Sequence, residues 1–249
     1  MKTRGEKITV LTAYDAGMAQ LLDRAGIDVI LVGDSVGMVV LGYETTIPVT
    51  LDMMLHHTQA VSRGAKRALI VTDMPFLTYQ VTVEDAVRNA GRLIQEGGAA
   101  AVKVEGGRPI APVVQRLTEI GIPVMGHLGL TPQSVHALGG FRQQARNVEA
   151  ASQLIEDAKL LQESGAFALV LESIPAELAK DVTEVLSIPT IGIGAGPHCD
   201  GQVLVSHDAF GLFEGPTPPF VRKYADLGEL LIAGARAYID DVRKGRFPE

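Results

Sequence analysis

The chain of 249 residues is 47% hydrophobic and 20% charged, a composition that suits a sizeable folded core and excludes a disordered chain. Its formal net charge is −7 with no block of basic residues, which argues against nucleic acid or an acidic membrane surface as a partner. No apolar run reaches the roughly 20 residues of a membrane span, MKTRGEKITV lacks the pattern of a signal peptide, and Cys199 is alone, so neither a disulfide framework nor a thiolate metal site is expected.

In chain order, eight apolar segments read as short buried strands: ITVLTAYD (8–15), VILVGDS (29–35), ALIVTDMP (68–75), AAVKVEGG (100–107), PVMGHLG (123–129), ALVLESIP (168–175), PTIGIGAG (189–196) and VLVSHDAFG (203–211). Each is rich in Val, Ile, Leu or Ala and runs into turn residues. Between most of them lies a helical pattern, clearest in VEDAVRNAGRLIQEGG (83–98) and EAASQLIEDAKLLQESG (149–165). Near-continuous apolar strands alternating with helices imply a parallel sheet covered on both faces. Eight such units favour a closed (β/α)8 TIM barrel as a single domain over 1–249, with an open doubly wound sheet as the alternative. The connection 197–202 is too short for a full helix, so the boundary of strand seven or eight is open to a shift. The tail 223–245 reads as one or two helices, with closing helices placed at about 218–245. The expectation is a cytoplasmic α/β protein.

Polar groups recur where these strands end: Asp15, Asp34 with Ser35, Asp73, Lys103 with Glu105, His127, Glu172, and His207 with Asp208. A barrel gathers such ends at one mouth, where its chemistry sits. Any single carboxylate there could instead cap the following helix. Asp34, Asp73, Glu105 and Glu172 together fit that explanation less well, because gathered like charges repel unless a cation or proton intervenes. A hard divalent ion is the simplest remedy. Mg2+ takes oxygen ligands and one or two protein carboxylates, and the scarcity of His and Cys disfavours zinc.

Lys103 and Glu105 are two apart on a strand and share a face. They read either as an internal ion pair or as a substrate contact beside the metal. His127 reads equally as a core histidine or a substrate contact. Glu172, between ALVL and SIP, reads as a cap or as a base whose pKa is raised by apolar surroundings. GIGAG (192–196) lacks the rest of a dinucleotide fingerprint, so its glycines are assigned to tight turning or close approach. His56 and His57, set among Met and Leu at helical spacing, are assigned to packing.

TAYD (12–15), LVGDSVGM (31–38), TTIPVT (45–50), TDMPF (72–76), VKVEGG (102–107), GHLGLTPQSV (126–135), LVLESIP (169–175), IGIGAG (191–196) and HDAFG (207–211) occur in one order along the chain. Together they resemble the ketopantoate hydroxymethyltransferase (3-methyl-2-oxobutanoate hydroxymethyltransferase) family of pantothenate synthesis. The related isocitrate lyase and phosphoenolpyruvate mutase enzymes share the barrel type, but the lyase's KKCGH-type loop is absent. The resemblance implies a phosphoenolpyruvate/pyruvate-type barrel with Mg2+ held at Asp34 and Asp73 and Glu105 close to it. It implies keto acid binding by Asp34, Ser35, Asp73 and Lys103, and Glu172 as proton acceptor. It also implies 5,10-methylenetetrahydrofolate as the one-carbon donor and a homodecamer built as a pentamer of dimers. Only seven residues precede ITVLTAYD, fewer than in many members, so the barrel bottom is expected to be less covered.

The expected chemistry follows from these parts. A 2-oxo acid chelates Mg2+, which stabilises the enolate formed when the C3 proton leaves to Glu172. The enolate carbon then attacks the methylene carbon, giving ketopantoate after water enters. Two alternatives stand beside it: a folate-independent Mg2+ aldolase or lyase of the same barrel type, and a non-catalytic barrel whose mouth residues are caps and ion pairs.

Overall fold

The computed structural model describes residues 1–215 and 217–248. Eight strands, β1 (Ile8–Thr12), β2 (Val29–Val32), β3 (Leu69–Asp73), β4 (Ala101–Glu105), β5 (Val124–Gly129), β6 (Ala168–Glu172), β7 (Thr190–Ile193) and β8 (Gly201–Leu204), close into a barrel in sequence order. The pairings from β1–β2 to β7–β8 are all parallel. The predicted (β/α)8 barrel is therefore the observed architecture, and the open sheet is excluded. By compactness the chain divides into two units, Met1–Val203 and Leu204–Glu249.

In the first unit the helices are α1 (Ala16–Ala25), α2 (Val36–Val39), α3 (Leu51–Gly64), α4 (Val83–Gln95), α5 (Ala111–Glu119), α6 (Val148–Glu163) and α7 (Ala176–Val185). Their starts follow from local chemistry. Asp15, Thr50, Thr82 and Asn147 sit in extended backbone, and each side chain accepts the N–H three residues on, at Met18, Met53, Asp85 and Ala150. Asp15, one of the predicted strand-end carboxylates, is thus a helix cap.

Alternation along the strands separates two cores. Ile30, Val32, Val102 and Val104 belong to the outward-facing positions and are fully buried, as expected beneath surrounding helices. The other parity forms the barrel's apolar interior: Val10, Val29, Leu31, Val71, Ala101, Met125, Ala168, Val170, Ile191 and Val203. At the opposite end from the charged residues, a cavity of about 490 Å³ opens among strand N-termini, with Ile8, Val29, Leu69, Met125 and Ile191 in its lining.

One strand departs from the sequence reading. The eighth runs Gly201–Leu204, not 203–211, and Ser206–Ala209 forms a short helix, α8. Closure of the barrel decides this. A Cβ at position 201 would lie 2.4 Å from the Ile8 carbonyl oxygen and 2.7 Å from Ile191 Cδ1, so the close seam is entered at a glycine. His207 and Asp208 accordingly lie on α8 in the second unit and not at a strand end. The tail prediction corresponds to one helix, α9 (Leu227–Arg243). Among the described residues no helix is long and apolar enough to cross a membrane.

Candidate active site

The inward parity that is apolar in the barrel's middle turns polar at the strand C-termini. Val71 is followed on its face by Asp73, Ala101 by Lys103 and Glu105, Met125 by His127, and Val170 by Glu172. Parallel register sets neighbours: Asp73 is opposite Lys103, Glu105 opposite His127, and Gly129 opposite Glu172. Asp34 and Ser35 come from the loop just beyond β2, after Gly33.

Asp34, Asp73, Lys103, Glu105 and His127 are all buried. Lys103 Nζ lies 3.1 Å from Asp73 Oδ1, 3.6 Å from Glu105 Oε1 and 3.2 Å from His127 Nδ1. The Asp34 N–H donates to Asp73 Oδ2 at 3.0 Å. His127 lies between two carboxylates: Nδ1 is hydrogen-bonded to Glu105 Oε1 at 3.2 Å, and Nε2 is 3.2 Å from Glu172 Oε2 without the geometry of a hydrogen bond. The Glu172 side chain keeps 16% exposure where its neighbours have almost none, which places it at the solvent edge of the cluster. Ser35, the residue before α2, makes no capping bond. Its hydroxyl pairs with the Tyr14 hydroxyl at 2.8 Å.

The electrostatics follow from burial and crowding. Burial, then Asp73 and Glu105, push the Asp34 carboxyl well above its ordinary range despite Lys103. Burial also raises Asp73, with Lys103 opposing it. Burial works against charge on Lys103, yet Asp73, Glu105 and Asp34 hold its ammonium above the usual lysine range. Burial and Lys103 disfavour the imidazolium of His127, but Glu105 and Glu172 outweigh them and push it up to about 9. Glu105, despite burial, is held below its usual range by His127 and Lys103.

This donor set fits a hard divalent cation. Four carboxylates (Asp34, Asp73, Glu105 and Glu172) face two cationic side chains (Lys103 and His127), an imbalance of negative charge in a buried space. Asp73 Oδ1 is buried without a hydrogen bond, its contact with Lys103 lacking the geometry of one. Among the described residues no group of three or more His, Cys, Asp or Glu side chains is placed to hold a metal ion by itself. A hard divalent cation takes oxygen ligands and fills the positions that protein carboxylates leave with water and substrate.

The sequence reading named Asp34, Ser35, Asp73, Lys103, Glu105 and Glu172, and the structure brings the charged ones together at one barrel mouth. It left His127 undecided, whereas that ring lies between Glu105 and Glu172. It missed Gln133 and Tyr79 altogether. Gln133, in a 3-10 turn, Pro132–Ser134, after β5, donates through Nε2 to Asp34 Oδ2 at 2.9 Å. Tyr79 accepts the Glu105 N–H at 2.9 Å. The only sequence signal was their place on loops after strands.

The remaining assignments are local. Partly buried His57 pairs through Nδ1 with the Tyr14 carbonyl at 2.7 Å, and His56 and His57 stack edge to face. In GIGAG, a Cβ at Gly196 would lie 2.5 Å from Ala176 Cβ, so close approach explains the glycine.

Over residues 1–249 the chain matches the family described as Ketopantoate hydroxymethyltransferase. A curated relative from Syntrophus aciditrophicus (strain SB), named 3-methyl-2-oxobutanoate hydroxymethyltransferase, is 59% identical over 249 residues, spanning all of this chain and 92% of that protein. Among solved structures, phosphonopyruvate hydrolase in complex with oxalate and Mg++ is similar with a TM-score of 0.65 and 11% identity, covering 98% of this chain and 84% of that one. A 2,3-dimethylmalate lyase, described as a PEP mutase/isocitrate lyase superfamily member, gives 0.63 and 17%, covering 98% and 85%. At such identities these two likenesses concern the fold alone. The full-length match and the close relative establish more: this chain belongs to the ketopantoate hydroxymethyltransferase family.

Proposed function

We propose that this protein transfers a hydroxymethyl group from 5,10-methylenetetrahydrofolate to 3-methyl-2-oxobutanoate, giving ketopantoate. The observation that carries the reading is the buried carboxylate cluster with Glu172 at its solvent edge, in a chain of this family. Asp34 and Asp73 would hold Mg2+. Both oxygens of Glu105 are engaged, Oε1 beside His127 and Lys103 and Oε2 by the Gln133 N–H, which supports a place for it behind a water. The ion, when bound, supplies Lewis acidity that draws electron density from the keto group and acidifies the C3–H bond.

The chain's own groups do the rest. Ser35 and Lys103 bind the substrate carboxylate by hydrogen bond and charge. Glu172 accepts the proton from C3, with the His127 ring 3.2 Å from its Oε2. The electron pair left at C3 forms the new C–C bond to the methylene carbon. Both C–N bonds of the methylene carbon break, water supplies its hydroxyl, and the water proton with the proton taken from C3 go to the two folate nitrogens, so that tetrahydrofolate departs. The reading includes a cytoplasmic location and a homo-oligomer, the decamer of the resemblance. In support of assembly, α9 exposes Leu230, Leu231, Tyr238, Ile239 and Val242 and has no buried residue.

The test measures keto acid consumption with methylenetetrahydrofolate, with and without EDTA. Activity is expected to depend on both folate and metal. Full activity under chelation would remove the Mg2+ role. Equal turnover with formaldehyde alone would favour a folate-independent aldolase. Glu172→Gln is expected to lose C3 proton exchange while still binding the keto acid, and retained exchange would take Glu172 out of the base role.

A further inference from the structure

Gln133 is 4% exposed, and its amide is used at every position. Nε2 donates to Asp34 Oδ2 and to the Met74 carbonyl, both at 2.9 Å. Oε1 accepts from the Tyr79 hydroxyl at 2.8 Å and from Gln80 Nε2 at 3.1 Å. The Gln133 backbone N–H donates to Glu105 Oε2 at 3.1 Å. One residue from the turn after β5 therefore bonds groups at the ends of β2, β3 and β4.

The network decides which way the amide points. Both partners of Nε2 are acceptors. On the other side, Tyr79 accepts the Glu105 N–H at 2.9 Å, and its own hydrogen has two acceptors, Gln133 Oε1 at 2.8 Å and the Glu105 carbonyl at 3.2 Å, of which Gln133 is the nearer. Burial raises the Tyr79 phenol well above its ordinary range, which keeps it an O–H donor. A flipped amide would set Oε1 against the Asp34 carboxylate and a carbonyl, and its N–H groups against donors.

The chemistry of the donor matters. Asp34 shares a buried space with Asp73 and Glu105, and like charge drives these carboxylates apart. A lysine at 133 would hold Asp34 but would cancel the charge that attracts a cation. A glutamate would repel it. A neutral N–H orients the carboxylate and leaves its charge in place.

We propose that Gln133, locked by Tyr79, is a positioning residue for the divalent-cation site: it occupies one oxygen of Asp34 with a neutral donor, leaves the other for the ion, and fixes Glu105 beside it. This rests on the metal-dependent reading of the same site. The two carboxylates come from different strand ends, and Gln133 is the side chain bonded to one whose backbone is bonded to the other.

Mn2+ binding to the full chain, measured by electron paramagnetic resonance, tests the role without turnover. Wild type is compared with Gln133→Met, Gln133→Glu and Tyr79→Phe, each checked for a cooperative melt. Gln133→Met is expected to weaken Mn2+ binding tenfold or more, and Tyr79→Phe several-fold. A filler role would lower the melting temperature and leave Mn2+ affinity alone. Affinity within twofold of wild type in folded Gln133→Met, or in folded Tyr79→Phe where the Met variant does not fold, overturns the proposal. Wild type that binds no Mn2+ removes the metal reading itself, a different result from wild type and variants binding alike.

Discussion

Asp34 sits where its ionised form is costly. Its carboxyl is raised by burial and by Asp73 and Glu105, so the cost is absent below the ordinary value of 3.8 and grows as pH rises above it. At neutral pH the metal-free protein carries that cost. Asp34→Asn keeps an oxygen to accept from Gln133 and removes the charge. It is expected to raise the metal-free Tm, by about 2–4 °C for each kcal/mol relieved in a chain of this size, and to abolish divalent-cation binding. Calorimetric melts with titration of Mg2+ check both, and an unchanged Tm would mean Asp34 carries no electrostatic strain. His127 has a related pH signature. Its value is raised from 6.5 to about 9 by Glu105 and Glu172, so its stabilising charge is fully present below pH 6.5 and is lost as pH rises through about 9. Metal-free wild type should lose Tm across that window, and His127→Asn should show a flatter profile. Parallel profiles would show that His127 does not titrate there.

The elements matter through where they end. At the end of β5, Gly129 has φ +94°, and a Cβ there would fall 2.2 Å from the Glu172 carbonyl oxygen and 2.7 Å from Ile174 Cγ2. That carbonyl accepts the Leu130 N–H at 2.8 Å, so the strand end bearing the proposed base is tied to β5. Gly129→Ala is expected to cost more than about 1 kcal/mol and to lower C3 proton exchange by displacing Glu172. Thr82→Ala offers the contrast. It removes the α4 cap, whose Oγ1 accepts the Asp85 N–H at 3.1 Å, at a cost of about 1 kcal/mol. Its kcat should be unchanged. Denaturant melts and exchange rates of the two variants separate a site effect from a stability effect, and equal exchange rates would break the proposed link between Gly129 and Glu172.

At the scale of the whole molecule, charge imbalance at the mouth couples ligand to stability. A cation that binds only the folded state stabilises it by about 2.7 kcal/mol at a hundred times its Kd. Wild-type Tm should therefore climb with Mg2+ concentration, and that climb should vanish in Asp34→Asn. A concentration-independent wild-type Tm would count against the site. Much of this architecture was legible along the chain. Eight apolar runs punctuated by turns specified the barrel, because a parallel strand buried on both faces has no room for a polar repeat. Asp73, Lys103, Glu105 and Glu172 were legible because each lies two residues, or a multiple of two, beyond an inward apolar residue. The eighth strand's boundary was not, since Val203–Val205 favours a strand by composition while closure against Ile8 sets its start at Gly201.

What the sequence determined by itself was local: the strand period, the helical pattern between strands, and the carboxylates placed where strands end. Tertiary structure alone decided the partners. His127 could have been an ordinary core histidine until register set it beside Glu105 and across from Glu172. Gln133 lies 99 residues from Asp34 in the chain, and no periodicity reaches across that gap. Side chains on connections point wherever barrel closure carries the backbone, so their roles are fixed by the fold as a whole and not by their neighbours in sequence.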